Sequence, residues 1–533
     1  MKKLISIMLV LIMLVSASVC VNAADSVELE FGKIANLTLG DVDADTKVSS
    51  TDLAALRKIL VAAEDVISNV SDMNYDGFIN VIDLIRLKKK TVGAEPVSIF
   101  ENQAKALKSK ILGAANNLPS VSGKTYHISP NGSTNPDGTS MRPYSYSQLI
   151  NKQIALNSGD AVLLKRGNIY RGSFRVETSN LFIGAYGTGD KPVIYGSAMN
   201  YADANWNNEG NSVYSVSDVP SDAGLIVFNH GEGVGFKKET RAELKNDLDF
   251  WYDADSKKVY LYSDKTPDSY ESVEIGVKGL STKTADLMRI VVSGITVENI
   301  AFRYSGGHAI SVATGNSDIT IKNCDIGYIG GSYLSDSLRY GNGIELWCDI
   351  SNALVENNWI HNIYDSGVTH QGGGQYNVSN VTVKENLIER CGLGSIEYWL
   401  SFGDSDGDGE LDQQSKGYNI TYTKNIMRYA GYGFGGEQRP VKDSSHIRSD
   451  VTCPNWIDLF NVTDNIFDIS TGDLLEIGST YATYPELTGN SYAQFSDRRL
   501  GVYKEFDIDD FGLFVKDTIN YDFGDKTAEV YYY

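Results

Sequence analysis

Six segments of one pattern recur through the second half of the chain: Ile295-Thr-Val-Glu-Asn-Ile300, Ile319-Thr-Ile-Lys-Asn-Cys324, Leu354-Val-Glu-Asn-Asn358, Val381-Thr-Val-Lys-Glu-Asn386, Ile420-Thr-Tyr-Thr-Lys-Asn425 and Phe460-Asn-Val-Thr-Asp-Asn465. They are spaced by roughly 24 to 40 residues, and each alternates apolar and polar residues as a strand does. Each is followed by a short apolar run, a glycine-rich corner and a second short run. A repeat this short, with no helix in it, cannot bury its apolar side alone and must stack on its neighbours. Coiling the chain so that each strand pairs in parallel with its equivalent one turn later predicts a mainly β fold, a right-handed parallel β-helix.

In that solenoid Asn358, Asn386, Asn425 and Asn465 fall one above another at a bend, where stacked side-chain amides bond up the column. That role is preferred here over a catalytic one. The β-helix is placed at about residues 123–500, and from about Lys124 to Tyr492 it resembles the pectate-lyase-like superfamily of right-handed β-helix proteins, many of them secreted enzymes acting on polysaccharides. Tyr126-His-Ile-Ser-Pro-Asn-Gly132 and Gly159-Asp-Ala-Val-Leu-Leu-Lys-Arg-Gly167 resemble the first coils of such proteins. Phe250-Trp-Tyr-Asp253 with Val259-Tyr-Leu-Tyr262 resembles a β-rich insertion, placed at about 200–285. These motifs are architectural and imply a fold more than a reaction.

Chemistry is sought on the second strand of each coil: Gly343-Ile-Glu-Leu-Trp347, Gly367-Val-Thr-His-Gln371, Ser395-Ile-Glu-Tyr-Trp399 and Phe434-Gly-Gly-Glu-Gln438. If Ile344, Val368 and Ile396 face the core, Glu345, Thr369 and Glu397 face outward, followed by Trp347, Gln371 and Trp399. Glu345 and Glu397 are then two coils apart, with backbones about 9.6 Å apart, which leaves open both an inverting and a retaining glycosidase spacing. An isolated glutamate on a wet face usually means only solubility. Outward indoles are harder to dismiss, since exposed large apolar side chains mark binding surfaces, and indole faces suit sugar rings.

Glu345 and Glu397 are therefore the expected acid/base pair on an outer face open to water, with Glu437 and Asp365 as alternates. Trp347, Gln371, Trp399, Gln438 and Arg439 are the expected substrate contacts. His370 is expected either as a catalytic group or as a hydrogen-bonding surface histidine. The acidic loop carrying Asp404, Asp406 and Asp408 either wraps a third calcium ion or is simply solvated, and its twelfth position, Ser415, breaks the EF-hand pattern.

Two further segments, 31 residues apart, repeat a calcium-loop pattern and run into apolar helices. Calcium takes six to eight oxygens, which such loops supply from positions 1, 3, 5, 7, 9 and 12. The expected ligands are Asp41, Asp43, Asp45, the Lys47 carbonyl, Ser49 and Asp52 in the first loop. In the second they are Asp72, Asn74, Asp76, the Phe78 carbonyl, Asn80 and Asp83. This duplicated half-EF-hand, about residues 40–93, resembles a type I dockerin, a small all-α module. The resemblance implies two calcium ions and docking to a cohesin module of a scaffoldin. Ser50, Thr51, Arg57 and Lys58 match the recognition places of the first repeat, and Lys88 and Lys89 those of the second helix. Val81-Ile82 departs from the Ser-Thr pattern.

Lys2-Lys3, the apolar run from Leu4 to Val15 and small residues near Ala23 predict a secretory signal over residues 1–23, with a run too short to span a membrane. A formal net charge of −21 argues against nucleic acid or anionic lipid as partners. Cys324, Cys348, Cys391 and Cys453 neither require nor exclude disulfides. Residues 97–122 predict a connecting helix, and 501–533 predict capping strands.

The expectation is a secreted, cellulosome-associated protein acting on plant cell-wall polysaccharide. Three functions remain open: a glycoside hydrolase, a calcium-dependent polysaccharide lyase using a base such as Arg439 or Lys442, and a non-catalytic glycan-binding module.

Overall fold

The computed structural model describes residues 42, 49–60, 84, 87–88, 98–116, 120–280, 285–335, 337–372, 377–400, 402–403, 413–414, 416–440, 442–449, 456–477, 485–495, 498–503, 506–508, 525 and 527–533. Residues 1–23, ten of the twelve expected calcium ligands (all but Ser49 and Asp52), Lys89 and the loop of Asp404, Asp406 and Asp408 lie outside them.

Three long sheets wind into a right-handed parallel β-helix. The first has eleven strands, from Thr125–Ser129 to Glu486–Thr488, and the second and third have ten each. One coil takes Ser351–Glu356 in the first sheet, Trp359–Ile363 in the second and Ser366–Gly372 in the third. The next coil repeats this with Asn377–Lys384, Leu387–Cys391 and Gly394–Leu400, all paired in parallel. Apolar residues of alternate positions, Ile344, Leu346, Val368, Ile396 and Tyr398 among them, fill the interior. The short helix Tyr146–Ile150 covers the amino-terminal end of that core with Tyr146 and Leu149.

The bend between first and second sheets turns on residues held at positive φ, including Asn323, Asn357, Glu385, Lys424 and Asp464, at 53° to 57°. For Glu and Lys that conformation costs free energy. The next residue in each coil offsets it. Asn386 Nδ2 donates to the Val355 carbonyl at 3.0 Å and to Asn425 Oδ1 at 2.9 Å, and its own Oδ1 accepts from the Asn358 backbone at 2.9 Å. The same bonds run through Asn425, Asn465 and Asn490, all fully buried.

Three excursions leave the coil at one corner, between second and third sheets. The largest, 196–287, is built from a five-stranded sheet and a three-stranded one around its own core of Ile226, Phe228, Phe250, Leu261 and Ile275. The second is a hairpin, Ser332–Ser335 with Leu338–Tyr340. The third is a helix, Gly433–Gln438. Tyr195, Leu225, Val227, Tyr304, Tyr364 and Phe434 cluster where these pieces meet the second sheet.

The helix Glu101–Leu112 lies on the second sheet, burying Ala104 and Ile111 against Leu387 and Ile426. Arg428 bonds both Glu101 and Glu389 beneath it. The strand Glu529–Tyr532 pairs with Ser491–Gln494 as the last member of the second sheet. Among the described residues no helix is long and apolar enough to cross a membrane.

Candidate active site

The pairing register of the third sheet fixes one outward column. Arg289, Ser311, Glu345, Thr369, Glu397, Arg448 and Glu476 occupy the same place in successive coils. Beside it, Trp347 and Gln371 stand in register, and the backbone of Trp399 stands in register with Gln371. The Trp399 side chain is outside the described residues. The column is not the water-exposed face that alternation alone suggests. Glu345 retains 8% exposure, Thr369 none, and Glu397 is part-buried: His308 stands against Glu345, and Ser366 and Gln371 against Glu397.

Burial is the main reason both glutamates hold their protons more tightly than an ordinary carboxyl. The Glu397 carboxyl is pushed up to about 7, by desolvation first and then by the negative charge of Asp365; a hydrogen bond from Ser366 and the charges of Arg448 and Arg439 oppose the shift. Its Oε2 accepts from Ser366 Oγ at 3.1 Å and from Gln371 Nε2 at 3.2 Å. Glu345 is raised by desolvation against the pull of His308, with Asp286 and Asp365 adding to the rise and Arg289 opposing it.

His308 Nε2 lies 3.2 Å from Glu345 Oε2, while His308 Nδ1 is 2.9 Å from the Asn342 backbone nitrogen. Since the Asn342 N–H donates to Nδ1, the network assigns the imidazole proton to Nε2, which donates to Glu345. Ser366 and Gln371 lie one coil before Glu397, and His308 lies one coil before Glu345. The rungs that carry the two carboxylates are two apart, about 9.6 Å.

The charges along the column are compensated in pairs. Arg289 meets Asp286 at 3.3 Å, Arg448 meets Glu476 at 2.6 Å, and Arg439 Nη1 bonds Asp365 Oδ1. Asp365 and Arg439 thus do lie beside Glu397.

Two expected catalytic groups are corrected. His370 points inward. It shares its parity with Val368, is fully buried, stacks on Tyr398 with ring centroids 5.9 Å apart and bonds the Tyr422 hydroxyl. Burial pushes its imidazole down to about 3, so it is neither a surface histidine nor part of the outward column. Glu437 is not on a third-sheet strand. Residues 433–438 form a helix because Gly436 lets the backbone press against Gly431, where a Cβ would come within 1.7 Å of the Gly431 carbonyl oxygen. The strand of that coil is Ser445–Ser449, where Arg448 stands beside Glu397 and Ser449 beside Tyr398, and Glu437 is exposed.

Gln438 is occupied as a tether: its Nε2 donates to the Gly235 carbonyl of the insertion at 2.8 Å, and its Oε1 accepts from Arg339 of the hairpin at 3.0 Å. His308, Asp286, Arg289, Arg448 and Tyr340 were not indicated by the repeat alignment. Extending the column back from Glu345 through Ser311 reaches Arg289, whereas His308 lies in a corner that the repeat does not define.

In the amino-terminal module the helix Ser50–Leu60 presents Ser50, Thr51, Arg57 and Lys58 to solvent, and Lys88 is also exposed. Asp52, expected at position 12 of the first loop, is buried; its Oδ1 accepts from the Val42 backbone at 2.7 Å and its Oδ2 from Ser49 at 2.6 Å. It thus closes the loop on positions 2 and 9, and this closure with the all-oxygen donor set fits calcium.

Residues 39–90 match the model of the type I dockerin domain, and residues 275–435 match that of the right-handed β-helix region. Among solved structures the chain is similar to XylC in complex with xylose, at 14% identity over 70% of each chain with a TM-score of 0.41. It is also similar to a GH136 lacto-N-biosidase from Eubacterium ramulus, at 12% identity over 91% of this chain and 81% of that one, TM-score 0.37. A third is the pectate lyase Pel9A, at 13% identity over 75% and 85%, TM-score 0.34. No curated protein matches the chain.

Proposed function

We propose that this chain, a type I dockerin joined to a right-handed parallel β-helix, is a secreted glycoside hydrolase held on a cohesin-bearing scaffold and acting on plant cell-wall polysaccharide. One observation carries the reading: Glu345 and Glu397 share an outward column two coils apart, one kept protonated near neutrality and the other fixed by a histidine N–H.

In this reading Glu397 is the general acid. A carboxyl raised to about 7 still holds its proton where most carboxyls have lost theirs, and it gives that proton to the glycosidic oxygen as the carbon–oxygen bond breaks. Glu345 is the general base. With His308 donating to one oxygen, its carboxylate takes a proton from a water whose oxygen forms the new bond to the anomeric carbon. The acid's proton leaves on the departing sugar and the water's proton rests on Glu345 until solvent exchange restores both groups. A separation of about 9.6 Å between the rungs is near the upper end of the inverting range, about 6.5–9.5 Å. Trp347 and Gln371 border the column and supply an indole face and an amide to the sugar.

The lyase alternative needs a free base beside a uronate. Arg439 is paired with Asp365, and the Lys442 ammonium donates to the carbonyls of Gly436 and Glu437. Calcium in this reading belongs to the dockerin. The apolar segment at residues 4–15 supports export.

The test incubates the full chain with neutral xylans and with polyuronates, with and without chelator. Reducing ends with inverted anomeric configuration and no absorbance from unsaturated uronates are expected. Chelator-sensitive absorbance would replace the hydrolase by the lyase, and binding without turnover would replace it by a glycan-binding module.

A further inference from the structure

The apolar side of a surface helix shows what the helix rests on. On the dockerin helix Ser50–Leu60, Leu56 is fully buried, and Leu53 and Leu60 partly so. Leu56 and Leu87, one from each half of the module, belong to an apolar cluster that does not end with the module. It takes in Phe100 and four residues of the β-helix, Tyr429, Ile469, Ala493 and Tyr533. These stand at the carboxy-terminal end of the second sheet. There Asp468, Ala493 and Tyr531 are in register on the outward side, while Phe467 and Tyr492 fill the interior.

Hydrogen bonds pin the same place. The Ser98 N–H donates to the Tyr429 hydroxyl at 3.0 Å, and the Ile99 N–H donates to the Tyr533 hydroxyl at 2.8 Å. That second hydroxyl donates in turn to Asp468 Oδ1 at 2.5 Å. The Phe100 ring stands edge-on to Tyr531 with centroids 5.6 Å apart, and Arg428 bonds Glu101 in the first turn of the following helix. Ser98 is fully buried. A swing of the module about this point would break both hydroxyl bonds and open the cluster to water. The four expected recognition residues of the helix, Ser50, Thr51, Arg57 and Lys58, remain exposed.

We propose that the dockerin is seated on the second sheet as one rigid piece with the β-helix, so that a cohesin bound through Ser50, Thr51, Arg57 and Lys58 fixes the direction in which the third sheet faces. The occupant of this patch of the second sheet is the chain's own dockerin. The proposal rests on the cohesin reading of that module and is independent of the reaction.

The test measures the distance between spin labels at Ala54→Cys and Asp458→Cys, both exposed positions, in the calcium-loaded full chain. Cys20→Ser and Cys453→Ser are added, and Cys324, Cys348 and Cys391 are buried. One narrow distance distribution is expected. Ile469→Asn suits the positive φ of that position, 55°, and removes the apolar contact. Combined with Tyr533→Ala it is expected to abolish the single narrow peak while cohesin capture is unchanged. Tyr533→Phe keeps the ring and removes both hydroxyl bonds; it is expected to widen the peak, and it covers the case in which the double variant does not fold. A broad distribution in the wild type would overturn the proposal, as would an unchanged peak in the variants. A narrow wild-type peak without cohesin capture would sink the cohesin reading alone and leave the seating in place.

Discussion

Glu345 and Glu397 stand in one outward column of the third sheet with Thr369 as the single residue between them, and each carboxylate takes a hydrogen bond from a residue one coil nearer the amino terminus. The two acids differ in partners: an imidazole N–H for one, a hydroxyl and an amide for the other.

Replacing either acid by its amide keeps shape and removes the proton chemistry. Glu397→Gln and Glu345→Gln are each expected to lower kcat by about 10²- to 10⁴-fold, with circular dichroism unchanged. Retained turnover in both would remove the assignment. His308→Ala, which frees Glu345, is expected to lower kcat more than it changes KM.

The raised Glu397 carboxyl makes stability depend on pH with a definite sign. The folded chain holds this proton up to about 7, whereas the ordinary value is 4.5. Its contribution is complete below about pH 4.5 and is lost as the pH rises through about 7, since there the folded state binds more protons than the unfolded one. Denaturant midpoints of wild type and Glu397→Gln should agree at pH 4.5, and wild type should fall below the variant at pH 8. Parallel curves would contradict the shift. The same ionisation predicts an alkaline limb of kcat/KM near pH 7.

The buried amide ladder predicts a cost without loss of chemistry. Asn386→Ala leaves the Val355 carbonyl and the Asn358 N–H without their partner in a buried corner, for about 2–4 kcal/mol by urea titration. The outer ladder offers a comparison: Asn380, whose amide bonds Asn352 Oδ1 in solvent, should cost about 1 kcal/mol as alanine, most of it from its positive φ. Equal losses at the two positions would refute the distinction.

Calcium removal should separate the two halves of the protein's work. With chelator, cohesin capture is expected to fall below detection, as it should with Asp52→Ala, while release of reducing ends stays within twofold of its starting rate. Arg57→Ala with Lys58→Ala should weaken capture and leave calcium-dependent helicity unchanged. A chelator-sensitive catalytic rate would place calcium at the paired glutamates.

The alternation around Val368 contains enough information to send His370 inward, since residues two apart share a face; grouping it with the site ignored that parity. Glu437 failed for a different reason. A glycine-rich stretch reads as a coil corner whether the next strand follows at once or after a helix, and only the packing of Gly436 on Gly431 decides between them. His308 and Tyr340 lie in the corner between second and third sheets, where coil lengths vary and no repeat aligns them.

What the sequence by itself determined is whatever is periodic: the parallel coil, the asparagine column at its bend, and the outward parity of Glu345 and Glu397. Each follows from spacing along the chain, which backbone geometry converts directly into position. The tertiary structure alone decided how wet that column is and which groups attend it. Burial and proton affinity depend on elements far apart in the chain, here an insertion, a hairpin and a short helix that meet at one corner, and no local pattern records that meeting.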